Sequence, residues 1–249
     1  MNISGNTILI TGGATGIGLS MAEIFLNSGN DVIVCGRRED KLVEAKNKVR
    51  GVHTKVCDIS VPENRVLLAE WVISTFESVN MMINNVGIQR MINFKKGTQE
   101  LTELHNEIAI NFEAPVHLSA LFIPHLSAQK QSAIANVSSG LAFVPLAFVP
   151  VYCATKAAIH SFSTSLRHQL KDTPIKVFEI IPPIVDTDLD KGARARRGQK
   201  DRGISAAETA EAAVKAIEND DYEFAIGMAQ GLKMGSRNNP EEIFKKMNG

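Results

Sequence analysis

Short apolar segments alternate with longer segments of helical periodicity along most of the chain. The segment Thr7–Thr11 is β-branched and apolar and ends at glycines, which predicts a buried strand. In the segment that follows, Ile17, Met21 and Ile24 recur at helical spacing, and Gly29 suits the end of the helix. This part of the chain therefore predicts a strand, a glycine-rich turn and a helix.

The same alternation continues toward the C-terminal part of the sequence. It predicts further strands near residues 31–35, 53–57, 81–84, 132–137, 176–181 and 222–226. It predicts further helices near residues 39–49, 62–76, 98–126, 152–170 and 206–218. This order is typical of an α/β fold of the Rossmann type, a doubly wound parallel sheet of about seven strands with helices on both faces. No linker-like segment interrupts it, so we expect one domain over residues 1–249.

The composition is that of an ordinary globular protein, with 44% hydrophobic and 22% charged residues. Lysine and arginine total 27, and aspartate and glutamate also total 27, so the formal net charge is 0. Such a balance favours neither nucleic acid nor an anionic membrane as a partner. Three cysteines without a C-x-x-C pair predict reduced thiols and a cytoplasmic location.

Targeting segments, membrane spans and metal sites are not expected. Residues 1–6 lack the basic and apolar pattern of a signal peptide, and no apolar run reaches the ~18 residues of a membrane helix. The six histidines (residues 53, 105, 117, 125, 160 and 168) show no spacing typical of metal ligands.

A glycine-rich turn joins the first predicted strand to the first predicted helix. Gly12, Gly16 and Gly18 follow a G-x-x-x-G-x-G pattern, which differs from the usual G-x-G-x-x-G. Glycine allows a tight turn and a close approach of the backbone to pyrophosphate, and the helix N-terminus offers free N–H groups. The position of the turn favours a dinucleotide site over a plain strand-to-helix connection.

The end of the second predicted strand indicates which dinucleotide is bound. An NAD site usually has a carboxylate here for the ribose 2′-hydroxyl, whereas this chain has Arg37 and Arg38. Two guanidinium groups are suited to a 2′-phosphate, so we expect NADP(H), with NAD(H) as the alternative. Because Glu39 and Asp40 follow directly, the two arginines are also compatible with a solvated loop.

Tyr152 and Lys156 stand four residues apart near the start of a predicted helix, which places them on one face. A free phenol titrates near ~10, and a close ammonium group favours the phenolate. Such a shift brings the phenol toward the pH range of effective acid–base catalysis. Alone, the pair is better explained by chance, so its interpretation depends on the other motifs.

Those other motifs resemble the classical short-chain dehydrogenase/reductase family, from Ile8 to about Leu189. In chain order they are Thr11-Gly-Gly-Ala-Thr-Gly-Ile-Gly18, Cys57-Asp58-Ile59, Asn84-Asn85-Val86-Gly87, Asn111, Asn136-Val-Ser-Ser139, Tyr152-x-x-x-Lys156 and Pro182-Pro-Ile-Val-Asp-Thr187. Each motif is weak by itself, and the complete ordered set is specific.

The resemblance implies a catalytic set of Ser139, Tyr152, Lys156 and Asn111. Tyr152 would exchange a proton with the substrate oxygen, and Lys156 would lower the pKa of Tyr152 and hold the nicotinamide ribose. Ser139, rather than Ser138, would orient the substrate oxygen. Asn111 would lie at a break in a long helix and hold a water that relays protons to Lys156.

The resemblance also implies the contacts of the cofactor. Asp58 would contact the adenine and Thr187 the carboxamide. With the turn and the two arginines, the implied cofactor-binding residues are Thr11, Gly12, Thr15, Gly16, Ile17, Gly18, Arg37, Arg38, Asp58, Ile59, Asn84, Gly87, Tyr152, Lys156, Pro182, Val185 and Thr187.

Two positions depart from the family pattern. Val86 replaces the commoner alanine, and Pro183 replaces the usual glycine after Pro182, which should stiffen the loop over the nicotinamide. The Pro-Pro loop and residues 228–244 are similar to oxidoreductases encoded beside lipoteichoic-acid D-alanylation genes.

The function implied is an NADP(H)-dependent carbonyl reductase or alcohol dehydrogenase acting on a small molecule. The alternative is a non-catalytic NADP(H)-binding protein that senses redox state. The resemblance further implies a homodimer or homotetramer, formed through the helices at 98–126 and 152–170.

Three further features of the sequence are an apolar segment, a basic segment and a cysteine beside Tyr152. Residues 141–151 are apolar and are expected to form one wall of a substrate pocket. Residues 191–202 are basic, and we favour a solvated loop over a contact to an anionic substrate. Cys153 has no partner histidine in evidence and is interpreted as a small core residue.

Overall fold

The computed structural model describes residues 1–101, 104–189 and 203–249, without the side chains of residues 100, 104 and 105. The basic segment at 191–202 therefore lies outside the described residues, and both of its interpretations stay open. The strands are β1 (Thr7–Thr11), β2 (Asp31–Gly36), β3 (His53–Val56), β4 (Val79–Asn84), β5 (Ser132–Val137), β6 (Ile175–Ile181) and β7 (Glu223–Ala225).

These strands form one parallel sheet of seven strands in the order β3-β2-β1-β4-β5-β6-β7. The helices are α1 (Gly16–Asn27), α2 (Glu39–Lys48), α3 (Pro62–Thr75), α4 (Leu104–Ile108), α5 (Ala114–Ser127), α6 (Pro150–Gln169), α7 (Ala206–Glu218), α8 (Met228–Asn238) and α9 (Pro240–Asn248). The predicted doubly wound α/β fold is thus confirmed.

The two faces of the sheet bury separate apolar clusters. Along β1, Ile8 and Ile10 belong to the cluster under α1, α2 and α7, whereas Leu9 belongs to the cluster under α3, α5 and α6. Successive strand side chains point to opposite faces, so a strand covered on both sides must be apolar throughout. This explains why the predicted strands are continuous apolar runs.

The long helix predicted over residues 98–126 is not continuous. A 3₁₀ segment at Phe94–Leu101 and α4 precede a π-helical turn at Ala109–Glu113, and α5 follows. Pro115 lacks the N–H that an α-helix would direct to the carbonyl of Asn111, which accounts for the widened turn.

The C-terminal part of the chain forms α8 and α9, which the periodicity did not predict. Pro240 lies in the first turn of α9, where its missing N–H costs nothing. Among the described residues, no helix combines the length and the apolar character needed to span a membrane.

Candidate active site

The turn between β1 and α1 packs against the loop that follows β4. Gly12 has a φ of +65°, and a Cβ there would lie 2.9 Å from the Cα of Val86. A Cβ on Gly18 would lie 2.6 Å from Nδ2 of Asn85. Both positions therefore require glycine. The first turn of α1 has no acidic residue and no side-chain bond from its N-cap, Thr15, so its N–H groups suit an anion.

A cavity of about 440 Å³, here called the cleft, lies at the carboxyl edge of the sheet beside this turn. The strand order reverses between β1 and β4, which is where folds of this type bind ligands. The predicted site residues that line the cleft are Gly12, Thr15, Gly16, Ile17, Arg37, Arg38, Gly87, Tyr152, Lys156, Pro182 and Thr187.

Asn85, and not Asn84, contributes to the cleft wall. Asn84 ends β4 and is buried, and its Nδ2 donates to Oδ1 of Asn136 at 2.8 Å. Asn85 lies just past the strand, and its Nδ2 donates to the carbonyls of Thr11 and Gly12 at 3.0 and 3.2 Å. The cleft contact predicted for Asn84 is therefore available to Asn85 instead, because the side chains of neighbouring residues along a strand point to opposite sides.

Thr11 and Gly18 support the turn from behind and are not among the residues that line the cleft. The hydroxyl of Thr11 accepts hydrogen bonds from the backbone N–H groups of Asn85 and Val86 at 3.1 and 3.3 Å. These bonds hold the loop after β4 against the glycine-rich turn.

Arg37 and Arg38 follow β2 and line both the cleft and an adjoining cavity of about 960 Å³. Asp58 lines that second cavity. Burial opposes the ionisation of Asp58, but hydrogen bonds from Ser60 and the charge of Arg37 lower its pKa. Ile59 is buried in the core, so its predicted cofactor contact would come from the backbone.

Tyr152 and Lys156 lie in the first turns of α6, which begins at Pro150. Both side chains are buried, and Nζ of Lys156 lies 5.7 Å from the centre of the Tyr152 ring. Nζ also donates to the carbonyl of Val137 at 2.8 Å. Burial lowers the pKa of Lys156 to about 8, against the raising effect of the Glu179 charge.

The two neighbouring serines after β5 have different surroundings. Ser139 caps the 3₁₀ turn at Gly140–Ala142, where its Oγ accepts a hydrogen bond from the N–H of Leu141 at 3.1 Å. Ser139 lines a second cavity, described below, which Tyr152 also lines. Ser138 instead donates its hydroxyl to Oε1 of Glu179.

Asn111 lies in the π turn and is buried. Its Oδ1 accepts from the N–H of Ile88 at 2.9 Å, and its Nδ2 donates to the carbonyl of Ile88 at 2.8 Å and to Oγ1 of Thr155 at 3.2 Å. A Cβ on Gly87 would lie 3.6 Å from both Oδ1 of Asn111 and Nζ of Lys156. Asn111 thereby joins α6 to the loop beside the cleft, and the predicted water stays a prediction.

Comparison with known proteins identifies the family of this chain. The family described as short chain dehydrogenase matches residues 6–198. The chain belongs to the short-chain dehydrogenase family. Its relative DltE of Bacillus subtilis (strain 168), described as an uncharacterized oxidoreductase, is 48% identical over 248 residues, which are 100% of this chain and 98% of DltE. The predicted likeness to the D-alanylation-associated oxidoreductases is confirmed by this relative.

Two solved structures of short-chain dehydrogenases share the fold. One, from Burkholderia cenocepacia J2315 in complex with NADP, has a TM-score of 0.85 at 24% identity and covers 99% of each chain. Another, from Burkholderia phymatum in complex with NAD, has a TM-score of 0.86 at 19% identity, over 100% of this chain and 97% of the other. At these identities, both likenesses show the fold of this chain and no more.

A second cavity of about 330 Å³, here called the apolar pocket, borders the cleft at Tyr152 and Thr187. Leu141, Leu146 and Phe148 line it, as expected for the segment at 141–151. Val185 and Pro183 also line this pocket rather than the cleft, so the predicted contact of Val185 falls on the substrate side of the site.

Glu179, which is buried, and His160, which is half-buried, form a polar pair that the sequence did not reveal. Oε2 of Glu179 lies 2.8 Å from Nδ1 of His160, and Glu223 completes a set of possible ligand atoms within 4.8 Å of one another. Lys233 already pairs with Glu223 at 2.6 Å, so we interpret the cluster as an ion-pair network. Three separate elements supply it, which is why ligand spacing along the sequence gave no signal.

The cysteines are buried and free. Burial raises the pKa of the Cys153 thiol, and its sulfur accepts a hydrogen bond from the N–H of Leu146 at 3.3 Å. A raised pKa disfavours the thiolate, in agreement with a packing role for this residue.

Proposed function

We propose that the protein is an NADP(H)-dependent carbonyl reductase or alcohol dehydrogenase with Ser139, Tyr152, Lys156 and Asn111 as its catalytic set. The observation that carries the proposal is the place of Tyr152, on the border between the cleft and the apolar pocket. Ser139 shares the pocket with it, and Lys156 shares the cleft.

The residues of the cleft fit a dinucleotide. The glycine-rich turn leaves no room for a Cβ at Gly12 or Gly18, and uncapped N–H groups in the first turn of α1 would bind a phosphate. Lys156 would hold the nicotinamide ribose and Thr187 the carboxamide. When bound, the nicotinamide supplies or accepts the hydride.

Side chains of the protein would supply the proton and bind the substrate oxygen. Tyr152 would hold the proton that passes to the oxygen as a carbonyl is reduced. Lys156, protonated below a pKa of about 8, would favour the phenolate that remains. The Ser139 hydroxyl would donate a hydrogen bond to the same oxygen and orient it.

NADP(H) is favoured over NAD(H) by Arg37 and Arg38, which line the cleft where a 2′-phosphate would require positive charge. The nearby acidic residues have another role in the fold. Glu39 and Asp40 lie in the first turn of α2, where they complement the helix dipole.

The test is a cofactor-oxidation screen of ketones, aldehydes, quinones and 3-oxoacyl esters with NADPH and with NADH in parallel. We expect turnover with higher kcat/KM for NADPH. Tyr152→Phe should lower turnover at least about 100-fold, since a general acid contributes ~10²–10⁴-fold. Cofactor binding, measured by nicotinamide fluorescence, should persist.

Tyr222→Phe is the matched control, because Tyr222 stacks on Phe178 away from the cleft. It should retain normal turnover. Residual activity of Tyr152→Phe above about a hundredth of wild type would remove Tyr152 from the mechanism. Tight NADPH binding without turnover of any compound would favour the non-catalytic alternative.

A further inference from the structure

The described lining of the apolar pocket is mainly apolar and has four polar residues. Its polar groups, Ser139, Tyr152, Gln89 and Thr187, belong to the part of the wall that approaches the cleft or the proposed reacting oxygen. No lysine, arginine, histidine, aspartate or glutamate lines it among the described residues. The rest of the wall consists of leucine, isoleucine, valine, phenylalanine, proline, methionine and glycine.

This composition discriminates against charged ligands. A carboxylate or phosphate entering the pocket would lose its hydration without gaining a cationic partner among the described residues. An uncharged apolar body loses little and gains contacts with the wall. The described part of the pocket lining therefore favours a neutral substrate.

The volume of the pocket limits the size of that substrate. An apolar cavity of about 150 Å³ accommodates benzene. The pocket has a volume of about 330 Å³, roughly twice that of the benzene cavity. A skeleton on the order of 10 to 14 carbon atoms would fill it, by the same scaling.

The two C-terminal helices close one side of the pocket. Leu232 from α8 and Met247 from α9 line it. The adjacent Asn248 donates from Nδ2 to the carbonyl of Pro145 at 3.1 Å and accepts at Oδ1 from the N–H of Ala147 at 2.6 Å. These bonds hold α9 against the segment that carries Leu146, so the pocket has a built wall on this side.

We propose that the substrate is a neutral, mainly apolar ketone, or the corresponding secondary alcohol, whose carbon skeleton lies between residues 141–148 and the C-terminal helices. The assignment rests on the proposed reaction. In reduction, the carbonyl carbon gains a hydride from the reduced dinucleotide, which is oxidised, and the oxygen gains the proton of Tyr152. The hydride brings the electron pair of the new C–H bond, and the π electrons of the C=O bond move to oxygen and form the O–H bond with that proton.

The test compares matched substrates in the NADPH assay. An aryl methyl ketone carrying a methyl ester is set against the same ketone carrying the free carboxylate, and linear methyl ketones run from butanone to decanone. We expect the ester to exceed the carboxylate in kcat/KM by at least about 100-fold. Along the linear series, kcat/KM should rise about fourfold per methylene until the pocket is filled.

A pair of variants on α8 ties this preference to the pocket wall. Leu232→Lys adds an ammonium group to the lining, and it should narrow the ester-to-carboxylate ratio by about tenfold or more. Met234→Lys makes the same addition on the same helix at a position that is 57% exposed and outside the lining. It should leave the ratio within about twofold. Melting temperatures check that both variants fold.

Every outcome decides the assignment. Equal or better turnover of the carboxylate, or no dependence on chain length, overturns it. If neither cofactor supports turnover of any compound, the ester and the carboxylate are titrated calorimetrically into the NADPH-loaded protein. Preferential binding of the ester would then support a pocket for neutral ligands but reject the proposed reduction. Equal binding of the two compounds, or no binding, would reject both the neutral-ligand pocket and the reduction.

Discussion

Glu179 connects groups that lie far apart in the sequence. Its side chain is fully buried on β6, between the hydroxyl of Ser138 and the ring of His160. The hydrogen bond to Glu179 raises the pKa of His160, and the charges of Glu179 and Glu223 act in the same direction, against burial and Lys233. Burial lowers the pKa of Lys156 to about 8, and the charge of Glu179 opposes this shift. The Glu179 carboxylate therefore helps to keep the proposed catalytic lysine, Lys156, in its protonated form.

We predict that Glu179→Gln moves the alkaline limb of carbonyl reduction to lower pH. Lys156 is protonated below a pKa of about 8 and loses its charge above it. Removing the nearby anion disfavours the ammonium form, so the lysine loses its proton earlier as the pH rises. The effect should be largest where His160 is neutral, since protonated His160 already offsets the charge of Glu179.

The measurement is the pH profile of kcat/KM, which reports the free enzyme. Glu223→Gln is the control, because it also removes a carboxylate near His160, but that carboxylate pairs with Lys233 and Arg167. Its profile should retain the wild-type alkaline limb. A Glu179→Gln limb that stays in place, or moves to higher pH, would show that Glu179 has only a packing role.

At the scale of elements, the π turn between α4 and α5 is the feature that places Asn111. In a regular α-helix, the carbonyl of Asn111 would accept a hydrogen bond from the N–H of residue 115, which is a proline here. A regular turn would also hold one residue fewer, so the side chain of Asn111 would point in a different direction. The widened turn instead aims Asn111 at Ile88 and Thr155. The turn thus couples three elements beside the cleft.

We predict that Asn111→Ala loosens the loop after β4. The substitution removes two hydrogen bonds to Ile88 and one to Thr155, each worth about 1 kcal/mol net. The free energy of unfolding should fall by about 3 kcal/mol in urea titration. Amide hydrogen exchange of residues 84–92 should become faster, and turnover should fall.

Ser119→Ala is the control on the same helix. Ser119 is buried and donates to the carbonyl of Pro115 at 2.7 Å, so its loss costs one hydrogen bond inside α5. Stability should fall by about 1 kcal/mol while exchange at residues 84–92 remains unchanged. Unchanged exchange in Asn111→Ala would mean that the π turn does not hold this loop.

Across the whole molecule, the sequence predicts what local patterns determine. The strands of the sheet and the glycine-rich turn are confirmed because apolar runs and glycine positions follow from neighbouring residues. The network of Glu179 and His160 depends on contacts between distant elements, which periodicity does not encode. The sequence predicted that Asn84 lines the cleft, whereas Asn85 does so. The exact end of β4 decides which of the two side-chain amides points at the glycine-rich turn, and the sequence pattern does not fix that end. The helices α8 and α9 are amphipathic but short, and the glycines inside α8 lower its helix propensity, so neither was predicted.

The predicted homo-oligomer would form through an apolar stripe on one face of the molecule. Ile108, Phe112 and Val116 recur every four residues along α4, the π turn and α5, where Ile108 is 39% exposed and the other two are half-buried. An apolar stripe on a helix that would otherwise face water is typical of a subunit contact. We predict that light scattering at micromolar concentration gives at least twice the mass of one chain.

Val116→Glu should lower that mass toward one chain, because the interface would have to bury an unpaired carboxylate. Leu67→Glu is the control, since Leu67 is 61% exposed on α3, outside the stripe, and it should leave the mass unchanged. A wild-type monomer would reject the assembly itself, whereas loss of assembly in both variants would place the contact elsewhere on the surface.

We also expect the Val116→Glu monomer to lose turnover in proportion to its dissociation. The reason is that α6 contributes Tyr152 and Lys156 and packs against the π turn through the hydrogen bond of Asn111 to Thr155. Assays across a dilution series would measure this: activity that follows the oligomer fraction supports a coupled site, and constant specific activity separates assembly from catalysis.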